Sequence, residues 1–304
     1  MIIEIDPRVD IVFKKLFGSL DHPELTKSLV NAILEAAGIP AAVELTIQNP
    51  FQLAEFEGEK STELDILYRD EECRDVQLEM QVTAHLGLSQ RMVHNWTQLY
   101  HRQLSKGQDY YEHRPVISIW ILDQRLFTDG RWFHVFRWNS PASGVVLTGD
   151  ASIITIELPV WQDLNQDSGS GILDDVEGWN YFLTHASGEE DERVLSTLEN
   201  PVFREAVEIM AVFTTDEKMR HAYDMRQNYQ RIIASYKRTG YEEGKAQGYA
   251  DGRSVGLEQG LEQGLEQGKA DAVRETARKL KAKGMTFEDI IEVTGLSIDE
   301  IRVL

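Results

Sequence analysis

The segment Pro115–Leu122, PVISIWIL, is almost continuously apolar. A strand with one wet face alternates apolar and polar residues, whereas a strand buried on both faces carries an unbroken run of this kind. Such a strand belongs in the middle of a sheet, with further layers over each face. The order of the elements around it then decides the architecture.

The flanking patterns supply the layers. Val9, Phe13 and Phe17 recur at four-residue spacing beside Val12 and Leu16, which predicts a helix over 9–18 ended by Gly18. A second helix is expected from Pro23 to Ala37, before Gly38 and Pro40. The period then changes. Val43–Gln48, residues 62–69 and Asp75–Val82 each alternate as half-buried strands do, and Glu71–Glu72 reads as a turn, so an antiparallel meander is expected. A long helix should follow from Leu88 to Lys106, broken at Gly107. After the buried strand come strands over Trp132–Trp138 and Ser152–Leu158, a polar loop over Asp163–Gly171, and a helical stretch from Asp174 to Lys237. The sum is an α/β (α+β) domain with a mixed central sheet flanked by helices, followed by a helical tail.

The chain has 304 residues and 42% hydrophobic content, enough to bury a sizeable core in one large domain or two smaller ones. Its 31 Lys+Arg against 51 Asp+Glu give a net charge of −20, which argues against coating nucleic acid non-specifically but not against one local site that engages phosphate through a metal. Cys73 is the single cysteine, so neither an intrachain disulfide nor a thiolate zinc cluster is available. No apolar run approaches a membrane span, and MIIEIDPRVD lacks the pattern of a secretory signal, so a cytoplasmic protein without a membrane partner is expected.

The informative acids lie in the meander. Asp65, Leu67 and Arg69 share one face of their strand, and Gln77, Glu79 and Gln81 share one face of the next. Residues directly opposite on paired strands have Cβ atoms about 5 Å apart. Two carboxylates at that distance repel each other unless a hard divalent cation lies between them. Lys60, just upstream, is placed to bring positive charge to a phosphate or to polarise a water. The same alternation also describes an ordinary solvated sheet face.

The pattern Asp65-x₁₃-Glu79-x-Gln81, with Lys60 five residues before the aspartate, resembles the PD-(D/E)XK nuclease superfamily. More narrowly, the chain is similar to the recombination-promoting nuclease/transposase (Rpn) family. Asp10-Ile-Val-Phe13-Lys14-Lys-Leu16-Phe17-Gly18 resembles that family's N-terminal motif. Arg91, Trp96, Tyr100, Gln103, Leu104, Gly107 and Tyr110 resemble its helix after the active-site strands, and the run after Arg114 fits its next core strand. The likeness spans about residues 6–240. It implies a restriction-endonuclease-like core and a metal-dependent DNA endonuclease linked to recombination, mobile elements or defence. It also implies Asp65 and Glu79 as ligands of Mg²⁺ (or Mn²⁺ or Ca²⁺), with Lys60 and Gln81 as further catalytic residues. The superfamily usually has Lys where this chain has Gln81, and a carboxamide carries no positive charge; Lys60 or Lys14 is the candidate substitute. Asp10, and with it Glu35, are candidate accessory ligands, although each reads first as a helix-cap or surface acid. The alternative function is a catalytically weak or inactive nuclease fold serving as an oligomeric binding or regulatory protein.

Basic residues follow Glu79 on the expected long helix. Arg91, Arg102 and Lys106 are candidate DNA contacts, although with His94 and His101 they form no single narrow stripe. Trp96, Tyr100, Tyr110 and Tyr111 read as core packing. Arg125, Arg131 and Arg137 alternate near Trp132 and Trp138 and either flank a nucleic-acid groove or belong to a half-exposed strand.

Beyond residue 239 the pattern changes. Gly240, Gly244, Gly248, Gly252, Gly256, Gly260, Gly264 and Gly268 recur every four residues. A four-residue step overshoots a helical turn by roughly 40°, so the glycines drift around a straight helix but can stay in contact in a right-handed crossing. Eight helical glycines cost roughly 8 kcal/mol against alanine, so a helix over 240–268 calls for a partner, a second copy of the chain; the other reading is a flexible linker. Residues 269–304 resemble a small helix-turn-helix, with Thr286 and Ser297 as N-caps and Gly295 as a stop. Glu288, Asp289, Glu292, Asp299 and Glu300 make it a poor phosphate reader and favour a packing or protein-contact module. The expected organisation is therefore a nuclease-like domain over 1–239, the repeat over 240–268 and the terminal module over 269–304.

Overall fold

The structure is a computed structural model that describes residues 5–49, 51, 66–82, 87–165, 175–186 and 191–304. The chain forms two compact units, Met1–Gln230 and Arg231–Leu304.

In the first unit, helices α1 (Asp10–Phe17) and α2 (Pro23–Ala36) precede strand β1 (Leu45–Ile47). Then come β2 (Ile66–Asp70), β3 (Asp75–Gln81), helix α3 (Leu88–Arg102), β4 (Val116–Leu122), β5 (Phe133–Arg137) and β6 (Ala151–Glu157). Helices α4 (Leu158–Leu164), α5 (Asp175–His185), α6 (Asp191–Thr197) and α7 (Pro201–Thr215) complete it, with the start of α8 (Glu217–Ala282). The sheet order is β1-β2-β3-β4-β6-β5. β1, β2 and β3 form the expected antiparallel meander, with Leu45 opposite Asp70 and Ile66 opposite Leu78. β4 lies parallel to both β3 and β6, and β5 closes the far edge antiparallel to β6. The sheet is mixed, as the sequence implies.

Every residue of β4 is buried, the condition that its apolar run demands. One face of the sheet presents Ile66, Tyr68, Val76, Leu78, Ile117, Ile119, Ile121, Ile154 and Ile156 to the main core, which includes residues of α1, α2, α5 and α7. Burial of this apolar surface is the dominant favourable contribution to folding. The opposite face carries Val116, Trp120, Leu122 and Ala151 and is covered by Leu88, Met92, Trp96 and Leu99 of α3. Trp96 Nε1 also donates to Val116 O at 2.9 Å, which fixes how α3 sits on β4. The end of α1 is tied to α2 and β2, because the hydroxyls of Thr26 and Tyr68 both donate to Phe17 O. Glycine is needed at position 18: a Cβ there would lie 2.7 Å from Lys14 O.

Some boundaries differ from expectation. α3 stops at Arg102 rather than Lys106, and the Gln103 side chain is turned to other work, accepting from Arg114 N at 2.8 Å and donating to Asp75 at 2.9 Å. Tyr110 and Tyr111 sit on a short 3-10 turn and are exposed, not core; Trp96 is buried and stacks on Tyr100. α4 follows β6 directly, where no helix was expected, with Pro159 in its first turn as helix starts allow. The stretch expected to be helical from Asp174 is divided among α5 to α8. Asn200 and Asp216 accept from N–H groups of the helices that follow them.

The second unit holds most of α8, with α9 (Phe287–Thr294) and α10 (Ile298–Val303). The repeat glycines lie within α8. Ala277, Ile290 and Ile301 are fully buried against one another, Thr286 and Ser297 cap the two short helices, and Gly295 takes the left-handed conformation that stops α9. Lys281 Nζ donates to the carbonyls of Ile301 and Arg302 at 3.0 and 3.1 Å, closing the end of α10.

The turn between β2 and β3 gives a prediction. The exposed Glu71 carboxylate accepts from the backbone N–H groups of Val43 and Glu44 at 2.9 and 3.0 Å, tying the entry to β1 to the hairpin. The Glu44 and then the Val43 N–H stabilise the anion and hold this carboxyl down to about 2, against an ordinary 4.5. The contribution is therefore fully present above pH 4.5 and lost as pH falls toward 2. A carboxyl-detected NMR titration should find Glu71 among the lowest-titrating glutamates, and Glu71→Gln should remove this acid dependence.

Candidate functional site

Asp75, Gln77 and Glu79 alternate as acids and amides on a wet sheet face would, yet all three are buried. α3 lies over them, so each polar side chain must find a partner inside the protein. Asp75 is paired with Arg69 at 2.8 Å and receives Gln103 Nε2 at 2.9 Å. Gln77 Oε1 accepts from Ser118 Oγ at 2.7 Å, and Ser118 Oγ accepts from Trp120 Nε1 at 2.8 Å. Glu79 Oε1 accepts from one arm of the Arg91 guanidinium at 2.6 Å, and Gln81 Oε1 accepts from the other at 3.0 Å. The guanidinium also lies 5.6 Å from the Trp120 ring centre, a cation–π distance.

The connection explains the meeting. β3 ends at Gln81 and α3 starts at Leu88 after Gly87, whose φ of 79° turns the chain back. Arg91 lies in the first turn of the returning helix, above the strand's carboxyl end. Because β3, β4 and β6 are parallel, Gln81, Leu122 and Glu157 lie in one row at the same sheet edge. Open α/β sheets bind ligands beyond the carboxyl ends of their strands. Asp123, just past β4, donates its N–H to Gln81 O at 3.0 Å and pairs through its carboxylate with Arg8 at 3.0 Å. Burial pushes the Asp123 carboxyl up and the Arg8 charge offsets part of that rise. Glu157, fully buried, accepts from the N–H groups of Leu126 and Phe127, shaping the loop after β4.

Asp65 and Lys60 lie outside the described residues. Of the other candidates, Glu79, Gln81 and Arg91 come together. Asp10 is engaged elsewhere, its carboxylate 3.5 Å from Arg226 Nε and bonded to Ile11 N at 2.7 Å, and burial pushes its carboxyl up. Lys14 is buried on α1, whereas Glu35, His94, His101, Arg102 and Lys106 are exposed. Arg125 pairs with Asp163, and Arg137 donates to Ala37 O at the end of α2. The pairing of Arg91 with Glu79 escapes a reading of residue spacing along single elements. The signal for it is the short separation in sequence of Gln81 and Leu88, which keeps the first turn of the helix near the end of the strand. The Ser118 relay and the Arg8–Asp123 pair join residues far apart in sequence, and no local pattern marks them.

Chemically, Glu79 and Gln81 offer oxygen donors, the type that hard divalent cations take. They fit part of such a donor set. Among the described residues no group of three or more His, Cys, Asp or Glu gathers as a complete one.

Residues 7–239 match the sequence profile of one protein family, described as PD-(D/E)XK nuclease family transposase. No curated protein and no solved structure matches the chain.

The relay under the site is testable. Ser118→Ala deprives the buried Trp120 N–H of its acceptor, and a buried donor left without one costs about 1–3 kcal/mol. Urea unfolding followed by tryptophan fluorescence should show that loss, and an unchanged midpoint would refute the relay.

Proposed function

The chain belongs to the PD-(D/E)XK nuclease family transposases, and on that premise we propose that it is a divalent-metal-dependent DNA endonuclease. The observation that carries the reading is a buried carboxylate, Glu79, beside Gln81 at the carboxyl edge of the parallel strands. Asp65 is its proposed companion. The support for that companion is the sequence pattern Asp65-x₁₃-Glu79-x-Gln81, since residue 65 lies outside the described residues. Asp65 and Glu79 would hold Mg²⁺, with Mn²⁺ or Ca²⁺ as substitutes, and the Gln81 carboxamide is an available neutral oxygen donor.

When bound, the cation supplies Lewis-acid charge at the scissile phosphate and lowers the pKa of a water. Glu79 is held in position by the Arg91 guanidinium at 2.6 Å, whose positive charge compensates a buried carboxylate. The Gln81 carboxamide carries no charge, so beyond Arg91 the further proposed sources of positive charge are Lys60 and Lys14. Arg102 and Lys106, exposed at and beyond the end of α3, are the proposed DNA backbone contacts. Recombination, the movement of mobile elements and defence are the proposed settings, in the cytoplasm. No helix among the described residues is long and apolar enough to cross a membrane.

Plasmid nicking with Mg²⁺, Mn²⁺ or Ca²⁺ tests the activity. Asp65→Ala and Glu79→Ala should each lower the rate by roughly 10²-fold or more, and chelation should abolish it. Cleavage that survives both substitutions would sink the assignment. DNA binding without cleavage under any cation would favour the second reading, a nuclease fold retained as a binding or regulatory protein.

We also propose that the chain self-associates through α8. An added Cβ at any repeat glycine from Gly240 to Gly268 would find nothing within 4 Å, and Leu257, Leu261 and Leu265 stand exposed one residue after three of them. Leucine beside glycine gives a knob beside a hole, which suits a close crossing with a second copy. Light scattering should give the full chain a multiple of 34.7 kDa. A variant lacking residues 240–268 should fall to a lower order of association. An unchanged association state would exclude the repeat as the contact.

A further inference from the structure

The proposed cation ligand Glu79 already has a positive partner. Arg91 bonds Glu79 at 2.6 Å and Gln81 at 3.0 Å, so one guanidinium spans both oxygen-bearing side chains. The two members of the ion pair differ in their freedom. The Glu79 side chain is 5% exposed, whereas that of Arg91 is 32% exposed and reaches solvent. The carboxylate is enclosed, whereas the guanidinium has an open route to solvent. Arginine also does not shed its proton, so this charge can be moved but not switched off. A divalent cation on the same carboxylate would face the guanidinium at close range in a poorly screened site, where like charges repel strongly.

We propose that Arg91 is an exchangeable internal counter-ion: it holds Glu79 until a divalent cation displaces it, and the displaced guanidinium then binds a phosphate oxygen of DNA. The proposal rests on the nuclease reading above. In the resting state the pair satisfies a buried carboxylate, and the Trp120 ring 5.6 Å away supports the guanidinium. On exchange, the planar fork of Arg91 finds in phosphate the other anion that it recognises well. DNA thus gives the displaced arginine a second anion to bind, so DNA and the cation each strengthen the binding of the other. Arg91 is on this view a positioning residue in the free protein and a substrate contact in the loaded one.

The test is Mn²⁺ binding to the full chain by calorimetry, with and without a non-cleavable phosphorothioate duplex. Arg91→Met should bind Mn²⁺ without DNA at least about tenfold more tightly than the unaltered chain. The duplex should raise Mn²⁺ affinity in the unaltered chain and not in Arg91→Met. Glu79→Gln should bind Mn²⁺ weakly in either case. A folded Arg91→Met that binds Mn²⁺ no more tightly overturns the proposal. If Arg91→Met does not fold, Arg91→Lys decides: losing the two-armed fork should still tighten Mn²⁺ binding, and unchanged affinity overturns the exchange. Nicking that depends on Glu79, with Mn²⁺ affinity indifferent to position 91, defeats the exchange and leaves the nuclease reading standing. Absence of both Mn²⁺ binding and nicking in the unaltered chain defeats the two together.

Discussion

Helix α3 packs on β4 and β6 over one face of the sheet, Arg91 and Gln103 reach from it to β3, and Asp75, Gln77 and Glu79 are withdrawn from water beneath them. An acid in that position keeps its charge only where the protein supplies compensating charge or hydrogen bonds. Arg69 and Gln103 do so for Asp75, Ser118 bonds Gln77, and Arg91 does so for Glu79. The apolar side chains that seat the helix, Leu88, Met92, Trp96 and Leu99, are thus also what gives the strand its electrostatic character. Packing and site chemistry are set by the same contact.

The fold was legible because its strongest constraint is local. An unbroken apolar run means a strand covered on both sides, and β4 is that strand. The meander, with its turn at Glu71 and Glu72, follows from alternation, and the caps at Thr286 and Ser297 follow from their spacing to Asp289 and Glu300. What spacing left open is which layer covers a face. Gln77, Glu79 and Gln81 share a side of β3 as alternation requires, but alternation alone cannot distinguish a face turned to water from one roofed by a helix. The end of α3 was misplaced for a related reason: Gln103 is engaged by Asp75 and by the backbone of Arg114, partners that only the folded chain brings near.

The candidate site was legible by type and not by pairing. Acid-x-amide on β3 identifies Glu79 and Gln81, but Arg91 reads from the sequence as a candidate DNA contact on a helix, and its pairing with Glu79 depends on how the chain returns between two elements. Asp10 shows the converse. It sits in a motif shared with the family, yet its charge is spent on Arg226, which comes from the first turns of α8. Tyr223, one turn earlier, receives the backbone N–H of Asp6 at 3.1 Å. The root of α8 is therefore fastened to the same N-terminal segment that carries Arg8 to Asp123 at the carboxyl edge of the sheet.

The hairpin at the opposite end of β3 is shaped by Asp70. Its carboxylate accepts from the N–H groups of Glu72 and Arg74 and pairs with the Arg74 side chain, so Cys73 is held at a φ of 62°. That cysteine is exposed, and the sequence contains no other. A thiol-reactive dye or spin label would therefore attach at one known point. It would sit roughly 25 Å from the Gln81 end of the strand that follows it, near enough to sense events there and too far to obstruct them. The turn that sets the register of the meander thus doubles as a built-in vantage point on the site.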